Sequence, residues 1–281
     1  YREADISPSF FIFLIVFTAM LIGDGGYALV CLFACLVSYK FITRKGIPPK
    51  FLDLFIILFI GTLVFGVFTN TYFGFQPSIT KFFMWVDPNS EVGATLLKRF
   101  CFYLGAVHLS VGRIWKIKRN PITLSTLSEV GWIIFTWAML DLVNVLVLSD
   151  LGPARMVPMF IVSLILVIFF TAPSWNPISC IGQGIGAVAL SAASFLSDII
   201  SYIRLWAVGY AGGMLASSFN DLARIAPFAI GVLILILGHG VNIILGLVAI
   251  FVHGVRLNLL EFSNHIGMEW SGRNYDPFRK S

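Results

Sequence analysis

The chain has 281 residues, 58% of them apolar and 12% charged, with a formal net charge of +5 and a mean hydropathy of +0.90. An ordinary globular chain is about 45–50% apolar and about 25% charged. So few polar groups cannot cover a water-facing surface, which excludes a soluble enzyme, a disordered tail and a disulfide-stapled secreted module. The expected fold class is an all-α multi-pass membrane protein in which the bilayer is the solvent. The cations fall in short loops between apolar runs, so the positive charge does not imply nucleic-acid binding. Cys31, Cys35, Cys101 and Cys180 lie in or beside apolar segments without a metal-ligand or framework spacing and read as buried free thiols.

A spanning helix needs roughly 20 apolar residues to cross about 30 Å of hydrocarbon. The start, Tyr1-Arg2-Glu3-Ala4-Asp5, is mixed in charge and shows no signal-peptide pattern. The first apolar stretch, Phe10 to Phe41, is too long for one span and is interrupted by Gly23-Asp24-Gly25-Gly26. It reads as two short helices, 9–23 and 26–42, joined by a tight turn that exposes the Asp24 carboxylate at the far surface. Further spans are expected at 51–70, 95–117, 130–148 and 156–172. Two longer segments follow, 182–219 and 227–265. At 1.5 Å per residue each of these is roughly 57 Å long, so a slab of about 30 Å holds them only if they tilt strongly or break. The expected architecture is one transmembrane domain over 1–281. It has about eight helices: a broken first hairpin over 8–43, supporting helices over 51–172, and a long, strongly tilted hairpin over 182–265.

Charge placement supports this count. With both termini cytoplasmic, inner loops hold Lys40, Arg44, Lys45, Lys50, Arg113, Lys116, Lys118 and Arg119, and the tails add Arg2, Arg273, Arg279 and Lys280. Outer loops hold Lys81, Lys98, Arg99, Arg155 and Arg224. Twelve inner cations against five outer ones favour the split first hairpin over a single span.

An ionisable side chain at bilayer depth costs at least ~2.5–3.5 kcal/mol, which makes each one a functional candidate. The set is Asp24, His108, Asp141, Asp198, Arg204, His239, His253, Arg256 and Glu261. Arg204 lies near the middle of its segment. The structural alternative for it is an ion pair with Asp198 or Asp141, although Asp198, six positions away, sits roughly 120° round the same helix. Ser194, Ser197 and Ser201 precede Arg204 at helical spacing. Gly209, Ala211, Gly212, Gly213, Ala216, Ser217 and Ser218 follow it as a small-residue surface that lets another helix approach. In the last segment His239, Asn242, Gly246, Ala249, His253 and Arg256 recur at steps of three and four and form a polar stripe. Histidines there are suited to proton relay. Glu261 is expected to pair with a cationic neighbour. No G-x-x-x-x-G-K-[ST] loop, G-x-G-x-x-G or H-E-x-x-H motif occurs, so neither nucleotide hydrolysis by the chain itself nor a cofactor or metal is expected.

Three blocks carry a family resemblance. Phe17-Thr18-Ala19-Met20-Leu21-Ile22-Gly23-Asp24-Gly25-Gly26-Tyr27 resembles the first-hairpin motif of the a/I subunit of V-type and archaeal/bacterial A/V-type rotary ATPases. Ser197-Asp198-Ile199-Ile200-Ser201-Tyr202-Ile203-Arg204-Leu205-Trp206-Ala207 is similar to that family's arginine motif, and Val252 to Phe262 to its second-arginine motif. Tyr275-Asp276-Pro277-Phe278 resembles its C-terminal ending. The blocks occur in family order and span essentially the whole chain.

The resemblance implies a non-catalytic stator subunit, in a bacterial or archaeal cell membrane, that couples proton or sodium translocation to ATP hydrolysis or synthesis. Its implied partners are a proteolipid c/K-type ring bearing mid-membrane carboxylates, and peripheral and central stalk subunits. It implies two offset half-channels separated by the arginines, with Arg204 facing the ring and Arg256 assisting. The family's large cytoplasmic N-terminal domain is absent from this sequence. Gly246 and Leu190 stand where eukaryotic members carry glutamates. That leaves Asp198 for the inner side and His253, His239 and Asp24 for the outer side, with Ser201 and Asn242 as further ion-path candidates. Counting back from a turn near 224 also sets Arg256 well inward of Arg204. Two rivals remain: a secondary transporter with an intramembrane Arg/His site, for which internal pseudo-symmetry is missing, and a stator scaffold that has lost transport.

Overall fold

A computed structural model describes residues 7–44, 50–119, 123–171 and 177–267. Among them the chain is helical and has no strand; one isolated bridge joins Tyr72 and Phe75. The helices are α1 (Ser7–Ile22), α2 (Gly25–Arg44), α3 (Lys50–Thr69), α4 (Glu91–Arg119), α5 (Leu124–Leu148) and α6 (Met156–Phe170). They are followed by α7 (Pro177–Ser201), α8 (Ile203–Ile225), α9 (Phe228–Ala249) and the short α10 (Ser263–Ile266). Each of the eight segments expected from hydropathy coincides with a helix or a run of joined helices. Among the described residues, four runs are long and apolar enough to cross a membrane: Lys50–Thr69, Leu124–Leu148, Ile181–Ile225 and Phe228–Ile266. The pair Ser7–Ile22 and Gly25–Tyr39 meets the same criterion jointly, bent by 120°.

That bend is the split first hairpin, and its chemistry differs from the expectation in one respect. Gly23 has φ +65°, a left-handed conformation that a residue without a Cβ adopts freely. Asp24 is not exposed at a surface but is only 2% accessible. Its Oδ1 accepts N–H bonds from Gly26 (2.7 Å), Tyr27 (3.1 Å) and Phe73 (2.9 Å), and its Oδ2 accepts one from Gly74 (2.8 Å). The free N–H groups at the start of α2 and the turn after α3 need acceptors that lipid cannot supply. One carboxylate satisfies four of them, which is why it is inside.

The two long runs behave differently from uniform α-helices. The 45-residue run Ile181–Ile225 would measure roughly 67 Å at 1.5 Å per residue, and it is interrupted at Tyr202. There the ladder tightens to i→i−3 bonds, Tyr202 N–H to Ile199 O (3.2 Å) and Leu205 N–H to Tyr202 O (3.0 Å). Tyr202 is fully buried, and its hydroxyl meets His108 Nδ1 at 2.7 Å. The ring of His108 is in turn stacked on Phe262, with centroids 4.3 Å apart. In the other run, α9 passes at Ile250 into π-helical winding over Ile250–Val255 and Leu257–Phe262 before α10.

A core of large side chains holds these elements. Phe17, Phe102, Leu109, Leu140, Ile199, Tyr202 and Leu205 are buried together, and Trp132 stacks on Phe195 with centroids 5.0 Å apart. Close approach of α8 to α1 depends on Gly209, where a Cβ would stand 2.2 Å from Met20 O. Cys31, Cys35 and Cys101 are free thiols, with Cys31 and Cys101 buried as expected. The side chain of Cys180 and the Tyr275–Phe278 block lie outside the described residues.

Candidate ion-translocation site

Arg204 opens α8, two residues after the Tyr202 bend. Its Nε donates to Ser201 O (3.0 Å) and one terminal nitrogen donates to Glu261 Oε1 (3.0 Å). Neither carboxylate proposed as its structural partner reaches it. Asp198 instead meets His265 Nε2 at 3.0 Å, and Asp141 takes a two-point contact from Arg155 at 2.9 and 3.0 Å. The Arg204 side chain stays 25% accessible while Glu261 is 7% accessible. The neutralising carboxylate therefore lies inward, and the guanidinium is not sealed from the outer face of the helix pair. Glu261 does pair with a cation, as expected, and that cation is the central one.

A cavity of about 420 Å³ opens on this pair and is lined by Ser197, Asp198, Ser201, Arg204, Arg256 and Glu261, among others. The two arginines thus share one pocket despite their different distances from the α8–α9 turn at 226–227. The π winding contributes by bringing Arg256 toward the face that carries Glu261, the partner of Arg204. In an α-helix residues five apart sit on different faces, whereas the wider turn of an i→i+5 ladder brings them nearer to one face. Arg256 stands at the junction of the two wound segments, and Glu261, five residues on, lies in the second. The expected polar stripe accordingly runs unbroken only as far as Ala249. Beyond it the π ladder turns each residue through a smaller angle, which changes the face that His253 and Arg256 occupy. His253 is half-buried, does not line this cavity, and has a buried Nδ1 without a hydrogen-bond partner.

Behind the pocket a charged relay braces α4, α5 and α7 against the end of the last run. His265, 3% accessible, lies between Asp198 on Nε2 and Arg113 on Nδ1 (3.2 Å), and Arg113 continues to Glu129 at 2.8 Å. Arg113 and Glu129 offset each other's desolvation, and Asp198 accepts from the Nε2–H of an imidazole that is neutral because its Nδ1 accepts from Arg113.

The remaining predicted residues gather some distance away. Asn220 Nδ2 donates to Phe73 O (2.7 Å), so its Oδ1 is an acceptor, and it faces His239 Nε2 at 3.1 Å. The neutral imidazole then carries its proton on Nε2 and accepts at Nδ1 from the Tyr27 hydroxyl (2.7 Å). The Tyr27 oxygen accepts from Asn242 Nδ2 (2.9 Å), which also donates to Gly212 O (2.8 Å). All donor and acceptor roles are filled in one sense, tying α2, α8 and α9 together. An amide stands at each end of this chain, and an amide does not hand on a proton as a hydroxyl or imidazole does. Through Asn220 and Phe73, His239 and Asn242 are joined to the Asp24 clamp. A separate cavity of about 340 Å³ reaches Asp24, Trp206, Gly209 and Ser217.

Asp198, Ser201, Arg204 and Arg256 are thus brought together, whereas Asp24, His239 and Asn242 form a second cluster and His253 stands apart from both. Sequence reasoning missed His265, Tyr27 and Asn220, and treated Glu261 only as some cation's partner. The hairpin block contained Tyr27, but its hydroxyl gave no signal of a partner more than two hundred residues on.

No protein-family model matches the chain. It is similar along its whole length to V-type ATP synthase subunit I of Borreliella burgdorferi (34% identical, covering 50% of that protein). The corresponding figures are 31% and 48% for V-type ATP synthase subunit I 1 of Treponema pallidum. A-type ATP synthase subunit I of Methanocaldococcus jannaschii is 23% identical over 99% of this chain and 45% of its own length. The chain spans about half the length of the curated relatives it matches. Along its whole length, including the motif around Arg204, the chain is homologous to part of subunit I of V-type and A-type ATP synthases from bacteria and archaea.

Proposed function

We propose that this chain is the membrane stator of a rotary ATPase, presenting Arg204 to acidic groups on a rotating proteolipid ring and supplying an ion path to each side of the membrane. The observation that carries this reading is the position of Arg204 between two cavities. One touches the helix pair at Ser197 to Arg204, the other at Trp206 to Ser217. Gly186, Ala193, Ser197, Ala207 and Ala211 recur at helical spacing along the same long run as Arg204. Ser197, Ala193, Ala207 and Ala211 are exposed, which suits the close approach of another helix.

The physics of the proposed cycle is a change of charge state on the ring. A carboxyl group facing lipid stays neutral because desolvation disfavours its anion. Opposite a permanent cation at ~4 Å, with an effective dielectric of ~20, the anion gains roughly 4 kcal/mol. That is enough to release the ion into one half-channel. Arginine suits the task because it does not deprotonate at accessible pH, so it also bars direct passage between the two paths. Asp198, Ser201 and Arg256 would serve the inner path. Asp24, His239 and Asn242 would hold the walls of the outer one, with His253 between. Proton or sodium coupling would follow from the ring's chemistry.

The test is Arg204→Ala in the assembled complex, reconstituted into sealed vesicles. Assembly and ATP binding are expected to survive while ATP-driven ion uptake disappears. Normal uptake by this variant overturns the proposal.

A further inference from the structure

Arg204 is already paired. Its guanidinium cannot attract a passing anion at full strength while Glu261 holds it at 3.0 Å. Three observations bear on how the pair is relieved. Only one Glu261 oxygen is satisfied: Oε2 is buried and has no hydrogen-bond partner. A buried carboxylate oxygen left unbonded is costly, so a position that gives it a donor is favoured. Arg256 lines the same cavity, is exposed, and among the described residues pairs with no carboxylate. Arg256, at the junction of the two π-wound segments, and Glu261, five residues on, both line this cavity. A second cation thus stands within the pocket into which Glu261 opens.

Resting on the rotary reading above, the geometry points to Glu261 as an exchangeable counter-ion. It neutralises Arg204 when no ionised ring carboxylate is opposite, and transfers to Arg256 when one arrives. The exchange gives both arginines work in the same turnover. Arg204 is never a bare cation beside hydrocarbon, and the arriving anion displaces an existing partner rather than adding a second negative charge to one guanidinium. Release is assisted by the reverse movement, since Glu261 returns as the ring group is neutralised. No proton needs to move through Glu261, which makes it a positioning residue.

The experiment uses the intact complex in sealed vesicles, measuring assembly, ATP-driven uptake rate and ions moved per ATP. Glu261→Gln keeps the shape and an acceptor oxygen but removes the charge. It is expected to assemble, to retain the ion-to-ATP ratio, and to lower turnover about tenfold, the effect of one decade per ~1.4 kcal/mol of misplaced binding. Arg256→Gln is expected to do the same. The double variant should be no slower than the slower single one, because both remove one shared exchange. Glu261→Asp, which keeps the charge, should recover part of the rate. Wild-type turnover in either single variant, or additive losses in the double, overturns the exchange. If Glu261→Gln does not assemble, Arg256→Gln decides the matter by the same criterion. Loss of uptake in Arg204→Ala together with full turnover in Glu261→Gln removes the exchange and leaves the rotary reading standing. Normal uptake in Arg204→Ala removes both.

Discussion

Asp24→Asn separates a structural clamp from an ion-carrying carboxylate at one atom's cost. In the native turn three N–H groups converge on Oδ1 and that of Gly74 on Oδ2 at 2.8 Å. Asparagine keeps a single acceptor oxygen. If it serves the three donors on the Oδ1 side, its NH₂ faces the Gly74 N–H, donor against donor. Leaving one buried donor unsatisfied costs about 1–3 kcal/mol, and the three remaining bonds weaken as the acceptor loses its charge. Relief from burying a charge offsets part of this, so the net loss is about 2–4 kcal/mol. That corresponds to a fall of roughly 5–10 °C in the thermal transition of a purified preparation in detergent. The second readout is ion uptake by the assembled complex at a temperature below that transition, which should continue with an unchanged ion-to-ATP ratio. A variant as stable as the wild type that no longer pumps would refute the clamp and return Asp24 to the ion path.

Two further predictions follow from the same geometry. Tyr27→Phe removes the hydroxyl shared by His239 and Asn242 and is expected to cost about 1–3 kcal/mol by leaving buried partners unpaired. The check is a lowered thermal transition with uptake retained, and loss of uptake without loss of stability would contradict a bracing role. Gly209→Ala forces a methyl group against Met20 O at 2.2 Å. It should cost about 1–3 kcal/mol through overpacking and reduce the yield of assembled protein, measured by size-exclusion chromatography.

The hydropathy of each run, the glycine break at 23–26 and the isolation of Arg204 in an apolar segment are local properties. A chain that must satisfy every backbone group in lipid has few ways to fold such runs, so eight helical segments, their order and the split first hairpin were legible from the sequence. The candidate site was legible in half. Asp198, Ser201, Arg204 and Arg256 do meet, because their motif places them within one bend of the long run and its facing helix. Helical periodicity failed beyond Ile250, where π winding alters which residues share a face, and no residue type in Ile250–Phe262 announces that change.

Partners were decided by the tertiary structure alone. Arg204 and Glu261 are 57 residues apart, Tyr27 and His239 are 212 apart, and Asp24 meets its loop donors 49 and 50 residues on. Burial in a medium without water obliges each polar group to find a mate. Composition reveals that obligation, but only the packing of distant helices selects which mate is within reach.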